Sequence, residues 1–122
     1  MQPALAHIVA ELSHARFLRE VVVSLNGLGA DGLAQARALF GVLPVKQTFL
    51  VNDRAGEPGG KGRNVAAAFA HLAKGNSQIF VTQDCDVASF RRVDLARLCY
   101  AVAHPRLNYR FAKMYYSRVT DR

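Results

Sequence analysis

Cysteine is nearly absent from this sequence, which holds two, Cys85 and Cys99. They form neither a CxxC pair nor a disulfide framework, so a cysteine-stapled secreted scaffold is excluded and a reducing cytoplasm is the expected setting. No apolar run approaches the roughly 20 residues that cross a bilayer, and the N-terminus lacks a charged-then-apolar leader, so no transmembrane segment is expected. Acidic residues are also few, 9 against 16 lysines and arginines, for a net charge of +7. The surplus collects in Lys61-Gly62-Arg63, in Arg91-Arg92 and in the run from Arg106 to Arg122. It implies an anionic partner, without choosing among nucleic acid, phosphorylated metabolites and anionic lipid. Tyr109, Phe111, Tyr115 and Tyr116 interleave with Arg110, Lys113 and Arg118, a pattern that could stack on bases. No single-strand-binding motif surrounds them, and no nucleic-acid partner is expected. Repeats, linkers and low-complexity tracts are missing too.

What is present fits one domain over residues 1–122, 51% hydrophobic and 20% charged, with a modest core. Leu5, Ile8, Val9 and Leu12 recur at helical spacing and predict an amphipathic helix over Met1 to Leu18, with His7 and His14 off its apolar stripe. Val21 to Leu25 is a continuous apolar run of the kind shown by parallel strands buried on both faces. A glycine-rich turn follows, then a helix over Leu33 to Phe40 that Asp31 can cap. Thr48 to Val51 reads as a second strand. The next loop holds Gly56, Pro58, Gly59, Gly60 and Gly62, and is expected to deliver Lys61 just before an alanine-rich helix over Arg63 to Lys74. Gln78 to Thr82 predicts a buried third strand. Asp94 is a candidate cap for a helix bearing Leu95, Leu98, Cys99 and Val102, which His104-Pro105 stops. Leu107, Tyr109, Phe111 and Tyr115 alternate as a half-buried fourth strand would. Helices alternating with strands predict an α/β layered sheet flanked by helices.

Two motifs carry chemistry. Asp84 and Asp86 flank Cys85 at the end of the third expected strand and can aim two carboxylates at one point. Hard cations take such ligands, and Mg²⁺ completes its shell with water and substrate phosphates. A pair of acids in a loop can equally be solvated or serve as a cap. Lys61 on the glycine loop can offset diphosphate charge from the other side, stabilising a nucleoside diphosphate as it leaves a sugar. A competing reading comes from Gly27 to Gly32, which matches GxGxxG after a strand, with Asp53 about 20 residues on, the fingerprint of an NAD-type Rossmann domain. Against it, Asp31 puts a carboxylate where a pyrophosphate would sit.

Taken together, VVVSLNGLGAD from Val21, GKGRNVAA from Gly60, IFVTQDCD from Ile79 and YRFAKMYYSRVTDR from Tyr109 resemble nucleotide-sugar glycosyltransferases of the GT-A fold. The closest resemblance is to the bacterial glucosyl-3-phosphoglycerate synthase and mannosylglycerate synthase group. It implies a Rossmann-like GT-A domain and transfer of a hexose from a donor such as UDP-glucose or GDP-mannose to a small phosphorylated or carboxylated acceptor such as 3-phosphoglycerate or glycerate. It further implies Mg²⁺ or Mn²⁺ on Asp84 and Asp86, with Asp84 also near the donor ribose and sugar. Lys61 would lie near the donor's base and phosphates, and Ser24 and Asn26 at the strand end that meets the nucleoside. Lys113, Tyr115, Arg118 and Thr120 fall in the segment near the acceptor, where an exposed basic strand end is the other reading. No catalytic residue is assigned. Against the family's pattern the chain is expected to be an internal piece, incomplete at both ends, with open sheet edges that allow a homo-oligomer. An inactive nucleotide-binding fragment is the alternative without turnover.

Overall fold

A computed structural model describes residues 3–25, 30–52, 61–85, 87 and 89–113. Its elements run α1 (Pro3–Leu12), β1 (Glu20–Leu25), α2 (Ala30–Phe40), β2 (Lys46–Val51), α3 (Lys61–Ala73) and α4 (Arg92–Ala103). The fold is mixed α/β, with a parallel pair of strands and four helices among the described residues. β1 and β2 pair in register from Glu20 opposite Lys46 to Leu25 opposite Val51. The Asn52 amide extends the pairing with a bond to the Leu25 carbonyl at 2.9 Å. Parallel neighbours cannot be joined by a tight hairpin, and α2 makes the crossover between them.

The pleat sorts β1 into two faces. Val21, Val23 and Leu25 pack into a core with Val9 of α1, Phe40 of α2, Leu43, and Phe49 of β2. Glu20 and Ser24, on the opposite face, meet α3 instead, through His71 and Asn64. The run was expected to be apolar on both sides, but one face carries polar groups at its two ends. A second core gathers Ile8, Phe90 and Leu95, with Leu18, Val81, Val87 and Cys99 against it. α1 serves both cores, because Ile8 and Val9 are adjacent and point about 100° apart on the helix. Burial raises the pKa of the Cys99 thiol, which disfavours its thiolate form.

Several expectations are corrected. α1 stops at Leu12 and does not run on to Leu18. The Ser13 hydroxyl bonds back to the Ala10 carbonyl at 2.6 Å, and the chain tightens into turns through His14 and Ala15. Gln78 to Thr82 is not a strand. Side chains hold this segment, with Phe80 against Phe69 of α3 at 5.8 Å between ring centroids and Val81 in the second core. Residues 107–113 form no strand either. Asn108 has φ 53°, a left-handed conformation that breaks an extended run, and Tyr109 and Phe111 are exposed. Neither expected acidic cap holds. Asp31 lies inside the first turn of α2, and Asp94 inside that of α4, where it pairs with Arg91 at 3.0 Å. The Arg92 amide at the start of α4 is met from across the fold by Glu11 of α1, at 3.2 Å, which satisfies a donor that the helix leaves open. His104 ends α4 as expected, with extended dihedrals before Pro105.

Candidate functional site

In open α/β sheets ligands bind beyond the carboxyl ends of the strands, where loops diverge and helix N-termini point inward. Here those ends are Leu25 and Val51, and the first turn of α3 stands against them. Three polar residues join the elements. The Ser24 hydroxyl donates to the Asn64 carbonyl at 2.8 Å. Since a carbonyl only accepts, Ser24 Oγ is left to accept, and it does so from Asn52 Nδ2 at 2.7 Å. Asn52 Nδ2 gives its second hydrogen to Asn64 Oδ1 at 2.8 Å. Each bond fixes the direction of the next. The Asn64 amide nitrogen and the Asn52 carbonyl oxygen are therefore turned away from the network.

Of the residues expected to meet the donor, Ser24 is thus half-buried inside this network. Lys61 is the first residue of α3, and Gly62 follows it within the helix, so this lysine opens the helix where a loop position was expected. A methyl group built on Gly62 meets no atom within 4 Å. Asp84 is exposed, with Gln83 donating to its carbonyl at 3.1 Å. Lys113 is exposed at the end of the segment after α4. Asn26, Asp86, Tyr115, Arg118 and Thr120 lie outside the described residues, as do Gly27, Gly29 and Asp53 of the dinucleotide fingerprint. Asp31, in the first turn of α2, sets a negative charge against the helix end that a pyrophosphate would use.

Asn52 and Asn64 were not singled out from the sequence. The available signal was position: an asparagine directly after a strand, and another on the first turn of the helix after the glycine loop.

A second polar cluster occupies the amino ends of the strands. Glu20 Oε2 accepts from Thr48 Oγ1 at 2.6 Å and from His71 Nε2 at 2.7 Å. Burial pushes the Glu20 carboxyl up, but the bonds from Thr48 and His71 and the nearby charges of Lys46 and His71 outweigh it and hold the group below its ordinary value. An ionised carboxylate only accepts, so His71 carries a hydrogen on Nε2. Glu20 also lines a cleft of about 210 Å³ with Arg19, Lys46, Leu72 and Gly75 to Ser77.

As for metals, no group of three or more His, Cys, Asp or Glu side chains converges among the described residues. Of the two expected carboxylate ligands, Asp84 is exposed and Asp86 lies outside the described residues. No helix among the described residues is long and apolar enough to cross a membrane.

Over 98% of its length the chain is 28% identical to a glucosyl-3-phosphoglycerate synthase of Persephonella marina. It spans about a third of that protein, 34% of its length. No protein-family profile matches the chain. No solved structure matches it.

Proposed function

We propose that the chain is part of a GT-A-like glycosyltransferase that moves a hexose from a nucleoside-diphosphate sugar to a small acidic acceptor such as 3-phosphoglycerate or glycerate. The observation that carries the reading is the likeness to the Persephonella marina synthase along nearly the whole chain. The arrangement at the strand ends supports it. The first turn of α3 carries the positive end of the helix dipole, which suits phosphate oxygens, and Lys61 is the residue at its start.

Asp84 and Asp86 would hold the divalent ion, which when bound offsets diphosphate charge. The path of the chain favours the arrival of Asp84 at the same crevice. Arg19 reaches the Asn76 carbonyl just past α3, and Phe80 lies beside Phe69 midway along it, so the segment doubles back along the helix. Phe69 to Lys61 is about 12 Å of helix at 1.5 Å per residue. Four residues beyond Phe80 can span about 13 Å, which is the reach to Asp84. Ser24, Asn26, Asn52 and Asn64 are assigned to the nucleoside side, and Lys113, Tyr115, Arg118 and Thr120 to the acceptor side.

A thermal-shift titration with UDP, GDP and NAD, each with and without Mn²⁺, tests this on the wild-type chain and on Asp86→Ala. A ligand at about 100 times its dissociation constant adds about 2.7 kcal/mol. The expected result is stabilisation by one nucleoside diphosphate that requires Mn²⁺ and vanishes in Asp86→Ala. Stabilisation by NAD without metal, unchanged in Asp86→Ala, would overturn the reading in favour of the dinucleotide fingerprint.

A further inference from the structure

Two polar pins fix α3 along β1. At the carboxyl end of the strand Ser24 holds the Asn64 carbonyl at 2.8 Å, and at the amino end Glu20 holds His71 at 2.7 Å. The spacings agree: four strand residues from Glu20 to Ser24 cover about 13 Å, and seven helical residues from Asn64 to His71 about 10 Å. Both pins can close only when the helix runs antiparallel to the strand. Between them α3 presents Ala67 and Ala68, which are too small to form ridges that lock into a partner. Alanine packing sets how close the helix lies, while the polar pins set where along the strand it stops. A slip of one residue would displace Lys61 and Asn64 by about 1.5 Å.

We infer that Glu20 and His71 are positioning residues for the donor site at the opposite end of α3. His71 touches no part of that site and acts through the helix. Thr48 completes the device by donating to the same Glu20 oxygen from β2, so one carboxylate ties both strands to the helix. The inference rests on reading the strand ends and Lys61 as the donor site, and its test separates the two.

Amide NMR spectra of the unliganded chain are compared for wild type, His71→Ala, His71→Gln and Thr48→Val, followed by titration with UDP or GDP and Mn²⁺. In His71→Ala the amides of Asn52, Gly62 and Asn64 are expected to move although they lie some 10 Å or more from the substitution. The dissociation constant for the diphosphate that binds wild type is expected to rise at least fivefold. His71→Gln, whose side-chain amide can still donate to Glu20, is expected to restore both. Thr48→Val removes one donor and keeps the shape, and should give the same pattern at smaller amplitude, which keeps the test decisive if His71→Ala does not fold. Shifts confined to the neighbours of Glu20, Thr48 and His71, or distant shifts that His71→Gln fails to restore, would overturn the inference. If wild type binds neither diphosphate, the donor reading fails, and the amide pattern still decides whether the pins set the helix.

Discussion

Asn52 Nδ2 stands 2.8 Å from Asn64 Oδ1 and thereby joins the end of β2 to the first turn of α3. With its second bond, to Ser24 at 2.7 Å, the same nitrogen reaches the end of β1. One amide group therefore bridges the three elements that frame the proposed donor site. Asn52→Ala removes both bonds and leaves two partly buried acceptors to find water, at a cost of about 1–3 kcal/mol. Urea denaturation should show the midpoint falling with an unchanged slope. Asn52→Asp should cost at least as much, because it turns a carboxylate toward two groups that also accept.

The second core makes a simpler prediction. Phe90 is 3% exposed and packs with Ile8 and Leu95, while its carbonyl accepts from His7 Nε2 at 2.7 Å. Phe90→Ala keeps the backbone bond and empties the ring's volume, so the loss measures packing. About 3–5 kcal/mol is expected, a large share of the stability of a domain this size. Thermal unfolding followed by circular dichroism reads it directly.

Acid should weaken the fold through Glu20. Its folded pKa lies below the ordinary carboxylate value, because Thr48, His71 and Lys46 outweigh the opposing effect of burial. The stabilisation is therefore fully present above the unfolded pKa and is lost as pH falls through the lower folded one. Stability measured from pH 6 downward should decline more steeply in wild type than in Glu20→Gln, which has no proton to take up. Parallel curves would mean that Glu20 contributes nothing to acid sensitivity.

How much of this was legible in the sequence follows from how local each feature is. The apolar run at Val21 and the alanines of α3 are local, and each gave its element within a few residues, while the periodicity of α1 placed that helix but not its end. Ser13 ended α1 early through a bond to its own helix, which composition does not reveal. The aromatic alternation of residues 107–113 predicted a strand, but alternation does not supply a pairing partner, and Asn108 adopts a conformation incompatible with one. At the site, Lys61 stood out by its glycine loop and Ser24 only through the family resemblance. Asn52, Asn64, Glu20 and His71 did not, since their partners lie 12 to 51 residues away and only folding makes them neighbours.

Two glycines at helix ends should respond oppositely to a methyl group. At Gly41, just past α2, an added Cβ would sit 2.7 Å from the Arg37 carbonyl oxygen, a backbone atom that cannot step aside cheaply. Gly41→Ala should therefore destabilise, by about 1–3 kcal/mol as for other overpacked sites. Gly62 lies inside α3 with open space where the methyl would go. Alanine lowers the entropy lost on forming a helix, so Gly62→Ala should raise stability by about 0.5–1 kcal/mol in the unliganded chain. The same methyl would stand beside Lys61 on the turn proposed to receive diphosphate oxygens. A gain in melting temperature together with a loss of nucleoside-diphosphate affinity is the expected pair of results. A gain in stability with affinity unchanged would show that no ligand approaches the backbone at Gly62, and would move the donor phosphates away from the start of α3.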